Sequence, residues 1–518
     1  MSEFLLTCGE CGRPFFTEGE KRFYESRGLS NPKRCAQCRE ISRNLRALAL
    51  HETSQNWNIE AKQESVDYFF NTDEATRLLC GDKYFVIGRK GTGKTAIAEF
   101  IAKQTGDEHF AQKLSFKNFP FNYLYSLENN KYSAPNQYIT IWKYLIYSCI
   151  CKMMTKNRNV DKGIAGKLRK LYPDSETSLA RMVESWTATD FGVEVLGVGL
   201  NGRRETTQPK EFSWIEKCDM LEDIIAEYAD DSRYYVIIDE LDEDYREFES
   251  SEERETYLKL LVSLFKAVQD VRAIFKGKNR RVYPIIFLRT DIYTLLKDSD
   301  KNKWRSFRID MDWTEEKIKD MLAHRISVAC GAEPMTFSEA WAVLFDRDDV
   351  EMGNRNATRM GKFEYITRST HLRPRDYIQY LIECSNEALA RDSSVITSPI
   401  IKAVDDMFSD YLRDEIIDEA YSVMPDINVI FEILSQIRKQ IFSPNEFVEI
   451  YNSYVQSGRL RDQGSDTVLR MLFEFGVIGN LPTASRQAIF KYQAVMARFN
   501  HRENIMIHRG LYKALQIY

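Results

Sequence analysis

At 518 residues, 43% of them hydrophobic, the chain has room for about two to four domains with sizeable cores. A formal net charge of −5 excludes bulk attraction to a polyanion and leaves only local patches open. No run approaches the roughly 18 apolar residues that span a bilayer, and Met1-Ser2-Glu3 lacks the basic opening of a signal peptide, so a cytoplasmic chain with no membrane contact is expected.

Cys8-x2-Cys11 and Cys35-x2-Cys38 form two thiolate hooks separated by 23 residues. Each hook aims two sulfurs at one point, and two hooks complete a tetrahedron. In a reducing compartment this spacing predicts a structural Zn²⁺ with no open coordination position. Zinc would fold a module, 1–45, too short for a core of its own. The other six cysteines are scattered and read as reduced thiols. Over 1–50, nine Lys/Arg stand against six Asp/Glu. That excess suits weak phosphate contact or, equally, a solvated surface. Residues 46–64 read as a linker that begins helical and turns polar.

The segment 65–325 carries the nucleotide chemistry. A helix over 65–79 leads to a buried strand, Tyr84-Phe85-Val86-Ile87. Gly88-Arg89-Lys90-Gly91-Thr92-Gly93-Lys94-Thr95 follows and fits G-x-x-x-x-G-K-[ST]. Gly88, Gly91 and Gly93 let backbone N–H groups close on phosphate, with Thr92 in the same loop. Lys94 should reach the β- and γ-phosphates of ATP, and Thr95 should ligate Mg²⁺. The helix 96–103 adds its positive end. Downstream, 119–121 reads as a strand end and 138–154 as an apolar helix whose Trp and Tyr belong to the core. The stretch 191–200 is a strand pair or a mobile loop. A helix over 215–228 feeds Tyr234-Tyr235-Val236-Ile237-Ile238-Asp239-Glu240. A doubly buried strand ending in two acids is the second nucleotide signature. Asp239 should hold Mg²⁺ through water, and Glu240 sits where a base for the attacking water belongs. Asp242, Glu243 and Asp244 read as a solvated acidic turn. The next strand, 284–288, ends at Arg289-Thr290-Asp291, where a helix cap is one role for Thr290 or Asp291. Arg305 and Arg308 are candidates for an arginine finger.

A helical lid follows over 326–410 and a winged helix over 411–518. In the latter, helices over 427–434, 444–451 and 467–475 precede short strands at 476–480, 490–492 and 505–508. The third helix carries one basic residue, Arg470, and makes a poor reader of a major groove. Protein contact is the expected use of this domain.

Taken together, Gly88–Thr95, Asp239-Glu240, Leu288-Arg289-Thr290-Asp291, Arg373-Pro374-Arg375-Asp376 and His508-Arg509-Gly510-Leu511 resemble a bacterial P-loop ATPase family related to STAND- and KAP-type NTPases. The N-terminal segment, with Phe15-Phe16 and Pro32-Lys33-Arg34-Cys35, resembles a treble-clef zinc ribbon. The resemblance implies an α/β fold: a parallel-sheet core of the additional-strand class, a helical lid, a winged helix and the zinc ribbon in front. It implies that Arg289 or Thr290 senses the γ-phosphate and that Arg373 or Arg375 reaches it from the lid. It further implies an ATP-binding, slowly hydrolysing switch in a bacterial defence system, acting through a protein partner or self-association. Two alternatives stand beside it: a DNA-processing motor or loader, and an adaptor that holds nucleotide without turnover.

Overall fold

A computed structural model of the chain describes residues 4–9, 12–104, 106–116, 121–125, 136–173, 179–187, 214–241, 251–353, 358–421, 423–485, 487–494 and 496–517. Cys11, Phe119, Pro120, the stretch 191–200 and the acidic turn 242–244 lie outside the described residues. The chain forms two compact units. One comprises Met1–Glu60, Trp313–Ala420 and Met424–Tyr518, the other Ala61–Asp312 with Tyr421–Val423.

In the first unit, strands β1 (Phe4–Thr7) and β2 (Pro14–Thr17) pair antiparallel, with Leu6 opposite Phe15. The helix Glu18–Ser26 follows, opened by a Thr17/Glu20 capping box. Cys35 then caps the helix Ala36–Gln55, its sulfur accepting from the Cys38 N–H. This helix runs without a break through 46–55, the start of the expected linker. It buries Ala49, Leu50 and Thr53 and packs on three helices of the same unit, Glu315–Ala329, Phe337–Leu344 and Pro374–Ala390.

The second unit is built on five parallel strands: β3 (Phe85–Gly88), β4 (His109–Ser115), β5 (Arg233–Asp239), β6 (Val282–Arg289) and β7 (Arg308–Asp310). Their order is β4-β5-β6-β3-β7. β6 therefore stands between the P-loop strand and the acid-tipped strand, which is the additional-strand arrangement. Residues Tyr234 to Ile238 of β5 are all buried, as a strand covered on both faces requires. Tyr234, Val236 and Ile238 join one core cluster, with Trp142, Leu221 and Phe265. Tyr235 and Ile237 join the other, with Val86, Ile97 and Phe287. The helix Ile139–Met154 is buried nearly all round, and the Trp142 Nε1–H donates to the Leu260 carbonyl at 3.0 Å. Its aromatics are core, as expected.

Two strands of this sheet left no usable pattern. β4 is an edge strand with a polar sequence, and β7 has three residues. The single helix expected over 65–79 is instead a short turn, Val66–Tyr68, and a separate helix, Asp73–Leu79.

Back in the first unit, the helical region comprises those three helices, a hairpin of β8 (Val350–Met352) and β9 (Thr358–Met360), and the helices Lys362–Thr367 and Ser398–Ala420, so that it begins at Glu315 and ends at Ala420 and overruns the expected lid bounds of 326 and 410 at both ends. The C-terminal part runs Ile427–Ile437, β10 (Ile441–Phe442), Pro444–Gln456, Ser465–Glu474, β11 (Ile478–Leu481) and β12 (Asn504–Ile507), with sheet order β10-β12-β11. Helix, strand, helix, helix, strand, strand is a winged helix. The strand expected at 490–492 is a turn: only Ile489 bridges to Asn480, and the Phe490 and Tyr492 rings turn onto His508. β10 takes the third place in the sheet.

Candidate functional site

The loop after β3 has the backbone that its glycines permit. Gly91 and Gly93 sit at φ +79° and +91°, in the left-handed region. At Gly88 a Cβ would stand 2.6 Å from Thr92 Oγ1 and 2.7 Å from Met311 Cβ, so no other residue fits. Thr92 is buried and its hydroxyl donates to the Arg89 carbonyl at 2.9 Å, which ties the loop to itself. Lys94 opens the helix Lys94–Lys103. Its ammonium donates to the Gly88 and Arg89 carbonyls at 3.0 Å each, holding the mouth of the loop where phosphate oxygens would take over its donors. Thr95, next on the helix, is half-buried.

The acids emerge at the tip of β5. Asp239 is 3% exposed, and its Oδ2 lies 3.1 Å from the Lys113 ammonium of β4. Lys113 also binds Glu99 at 2.7 Å. Burial pulls the Lys113 pKa down, but the Asp239 and Glu99 carboxylates carry it above its ordinary value. The carboxylate of Asp239 and the hydroxyl of Thr95 are the hard oxygen donors that a cation such as Mg²⁺ takes.

Glu240 adopts φ +61°, an uncommon backbone for a residue with a Cβ, costing about 1–2 kcal/mol. Both of its carboxylate oxygens are engaged. Oε1 lies 2.5 Å from the Lys62 ammonium, and Oε2 accepts from the Ser115 hydroxyl. The register explains Ser115: in the parallel β4–β5 pair it stands opposite Asp239. Burial would raise the Glu240 pKa. Donation from Lys62 and Ser115, with the Lys62 and Lys113 charges, lowers it below the carboxylate norm. Lys62, Lys113 and Ser115 were not foreseen. Lys62 lies in a polar stretch and the other two on an edge strand, and none has a sequence signal.

At the tip of β6, Arg289 is buried and forks onto Asp291 at 3.1 and 2.7 Å. Thr290 is exposed and opens the helix Thr290–Leu295. Arg289 is the capping residue, with no side-chain cap bond, so neither Thr290 nor Asp291 caps. Arg308 pairs with Asp310 at 2.8 Å, whereas Arg305 is exposed.

In the lid, Arg373 has no exposed side-chain surface. It donates to Asp376 at 2.7 Å and to Glu419 at 3.3 Å, and Asp376 also accepts the His371 N–H at 2.8 Å. Arg375 is less enclosed and binds Glu60 at 2.9 Å and Glu415 at 3.3 Å.

At the N-terminus the sulfurs of Cys8, Cys35 and Cys38 all lie within 4.8 Å of one another. The Cys35 N–H donates to Cys8 Sγ at 3.4 Å and the Cys38 N–H to Cys35 Sγ at 3.5 Å. Backbone donors aimed at sulfur stabilise thiolates, so the donor set fits a soft metal such as zinc.

Two family models match parts of the chain. Residues 4–46 match a "Probable treble clef domain", and residues 316–417 match a "FunZ-associated C-terminal helical domain". No curated protein matches. Among solved structures, the chain is similar to the Aeropyrum pernix ORC1 protein in complex with DNA at 12% identity and TM-score 0.34, covering 91% of this chain and 96% of that one. It is similar to the Aeropyrum pernix ORC2 protein in ADPNP–ADP complexes at 10% identity and TM-score 0.38, covering 84% and 87%. With Drosophila ORC bound to DNA the values are 11% and 0.31, covering 97% and 100%. Scores this low fall short of a shared overall fold, and what those proteins bind stays with them. Among the described residues, no helix is long and apolar enough to cross a membrane.

Proposed function

We propose that the chain is a Mg²⁺-dependent ATPase that works as a slow molecular switch. One arrangement supports this reading: a glycine loop with its lysine, and an Asp-Glu pair, at the C-terminal ends of parallel strands in one sheet, the place where such sheets take ligands. In this reading the loop N–H groups and Lys94 hold the phosphates, and Thr95 and Asp239 hold Mg²⁺, which would neutralise phosphate charge. Glu240 takes the proton of the attacking water as its oxygen bonds to the γ-phosphorus and the bond to the β-phosphate oxygen breaks, releasing ADP and phosphate. Arg289 or Thr290 senses the γ-phosphate from β6. From the lid, Arg375 suits that task better than Arg373: each is paired with two carboxylates, but the Arg375 side chain is 17% exposed and that of Arg373 not at all.

Cys8, Cys35 and Cys38, with Cys11, would hold one structural zinc. The division into a zinc module (1–45), connector (46–64), ATPase core (65–325), lid (326–410) and winged helix (411–518) belongs to the same proposal. So does a role for the end domains in binding a protein partner or a second copy, with weak, salt-sensitive nucleic-acid contact through the zinc module. The resemblance to STAND- and KAP-type ATPases favours a defence switch over a metabolic enzyme.

Glu240→Gln tests the reading. The amide keeps the shape but takes no proton, so ATP binding should persist while turnover falls by about a hundredfold or more. Hydrolysis at the wild-type rate would place the base elsewhere.

A further inference from the structure

The chain between the helix Ala36–Gln55 and the P-loop strand is pinned at three points. Trp57 is buried, with the Arg325 guanidinium over its ring at 4.5 Å. Glu60 binds Arg375 at 2.9 Å. Both contacts lie within the first unit. Two residues on, in the second unit, the Lys62 ammonium lies 2.5 Å from Glu240 Oε1.

A carboxylate serves as a base only if one oxygen faces the water it deprotonates. Here Oε2 accepts from Ser115 and Oε1 is held by Lys62. We infer that Lys62 is an autoinhibitory latch that occupies the catalytic carboxylate of Glu240 until the 56–62 segment is displaced. The inference rests on Glu240 being the base proposed above. Lys62 has features suited to a removable hold. Its side chain is 40% exposed, against 13% for Glu240, so it can leave to water without emptying a core. It lies in a turn rather than in a strand or helix. Upstream, the segment is gripped by Arg325 and Arg375, on two of the helices that pack against Ala36–Gln55. Displacing the 56–62 segment would draw Lys62 off and free the carboxylate. ATP binding and ATP turnover would then answer to different parts of the chain.

The test is steady-state turnover and calorimetric ATP affinity for the full chain and for Lys62→Ala, Lys62→Arg and Lys62→Ala/Glu240→Gln. Lys62→Ala should raise kcat by roughly threefold or more with ATP affinity held within about twofold. Lys62→Arg keeps a cation on the carboxylate and should rise less. The double variant should not turn over, because the gain runs through Glu240. A kcat for Lys62→Ala at or below wild type, while Glu240→Gln abolishes wild-type turnover, overturns the latch and leaves the ATPase reading standing. A Glu240→Gln enzyme as fast as wild type removes the base, and the latch falls with it. If neither the wild type nor Lys62→Ala hydrolyses the ATP it binds, both ideas fail.

Discussion

Lys94 donates to two carbonyls of its own loop at 3.0 Å. Those bonds keep the ammonium at the loop mouth, already placed for phosphate. Lys94→Ala removes the cation that offsets phosphate charge, and ATP affinity should fall at least tenfold, about 1.4 kcal/mol. Calorimetry checks this, and undiminished binding would count against the loop. Glu240 and Arg373 show how far motif reading reaches for single residues. The Asp-Glu pair stands at a strand tip, as a doubly buried strand ending in acids implies. Arg373 sits in an Arg-Pro-Arg helix start that looks equally exposed at both arginines. The fold encloses the first between Asp376 and Glu419 and leaves the second nearer solvent, a difference set by residues up to 46 positions away.

The helix Ala36–Gln55 carries two jobs on one run of residues. Its cap, Cys35, belongs to the thiolate cluster, and its last turns bury Ala49, Leu50 and Thr53 against the lid helices. Metal analysis should find one zinc per chain, and Cys35→Ser should lose it. The substitution removes a ligand and a cap together, so hydrogen exchange should rise over 4–40. Protection over 47–55 should survive, since apolar burial and not zinc holds that half. Exchange rising equally along the whole helix would mean that the metal supports the lid. A helical start to this stretch was expected from the sequence, but not its buried face: Leu50 is buried, whereas Leu48 is exposed. Its continuity with the zinc module was not expected either, because the partner face belongs to helices roughly 270 residues or more further on.

Within the first unit, the winged helix is tied to the lid through a buried histidine. His508 Nδ1 accepts the Gly510 N–H at 3.2 Å, and its Nε2 lies 2.9 Å from the Tyr492 hydroxyl. Its ring stands 4.6 Å from that of His371, which precedes the helix Pro374–Ala390. Burial, aided by the charges of Arg373 and Arg509 and opposed by a bond to Thr370, pushes the His508 pKa from 6.5 down to about 3. The unfolded chain binds this proton near pH 6.5 and the folded chain does not until about pH 3. The contribution to stability is therefore full above pH 6.5 and is lost progressively as pH falls toward 3. Calorimetry should show the melting temperature dropping between about pH 6.5 and 5, with a shallower slope in His508→Asn. An equal slope in the variant would assign the effect to other groups.

The P-loop, the acid-tipped strand and the hook of Cys35 and Cys38 were readable from the chain alone because each is a short-range device. Glycines, a lysine and a hydroxyl within eight residues impose one backbone and one chemistry wherever they fold. Apolar runs likewise announced β3, β5 and β6, which are buried on both faces. An edge strand such as β4 needs no such run, so its sequence kept polar residues free for other uses. Two of them, Lys113 and Ser115, arrive on Asp239 and Glu240 from 126 and 125 residues away. Lys62 reaches Glu240 from the connector in the same way. Strand order, register and the burial of Arg373 arise when distant segments compete for the same space, and ion pairs across such distances follow from that packing rather than from any local pattern.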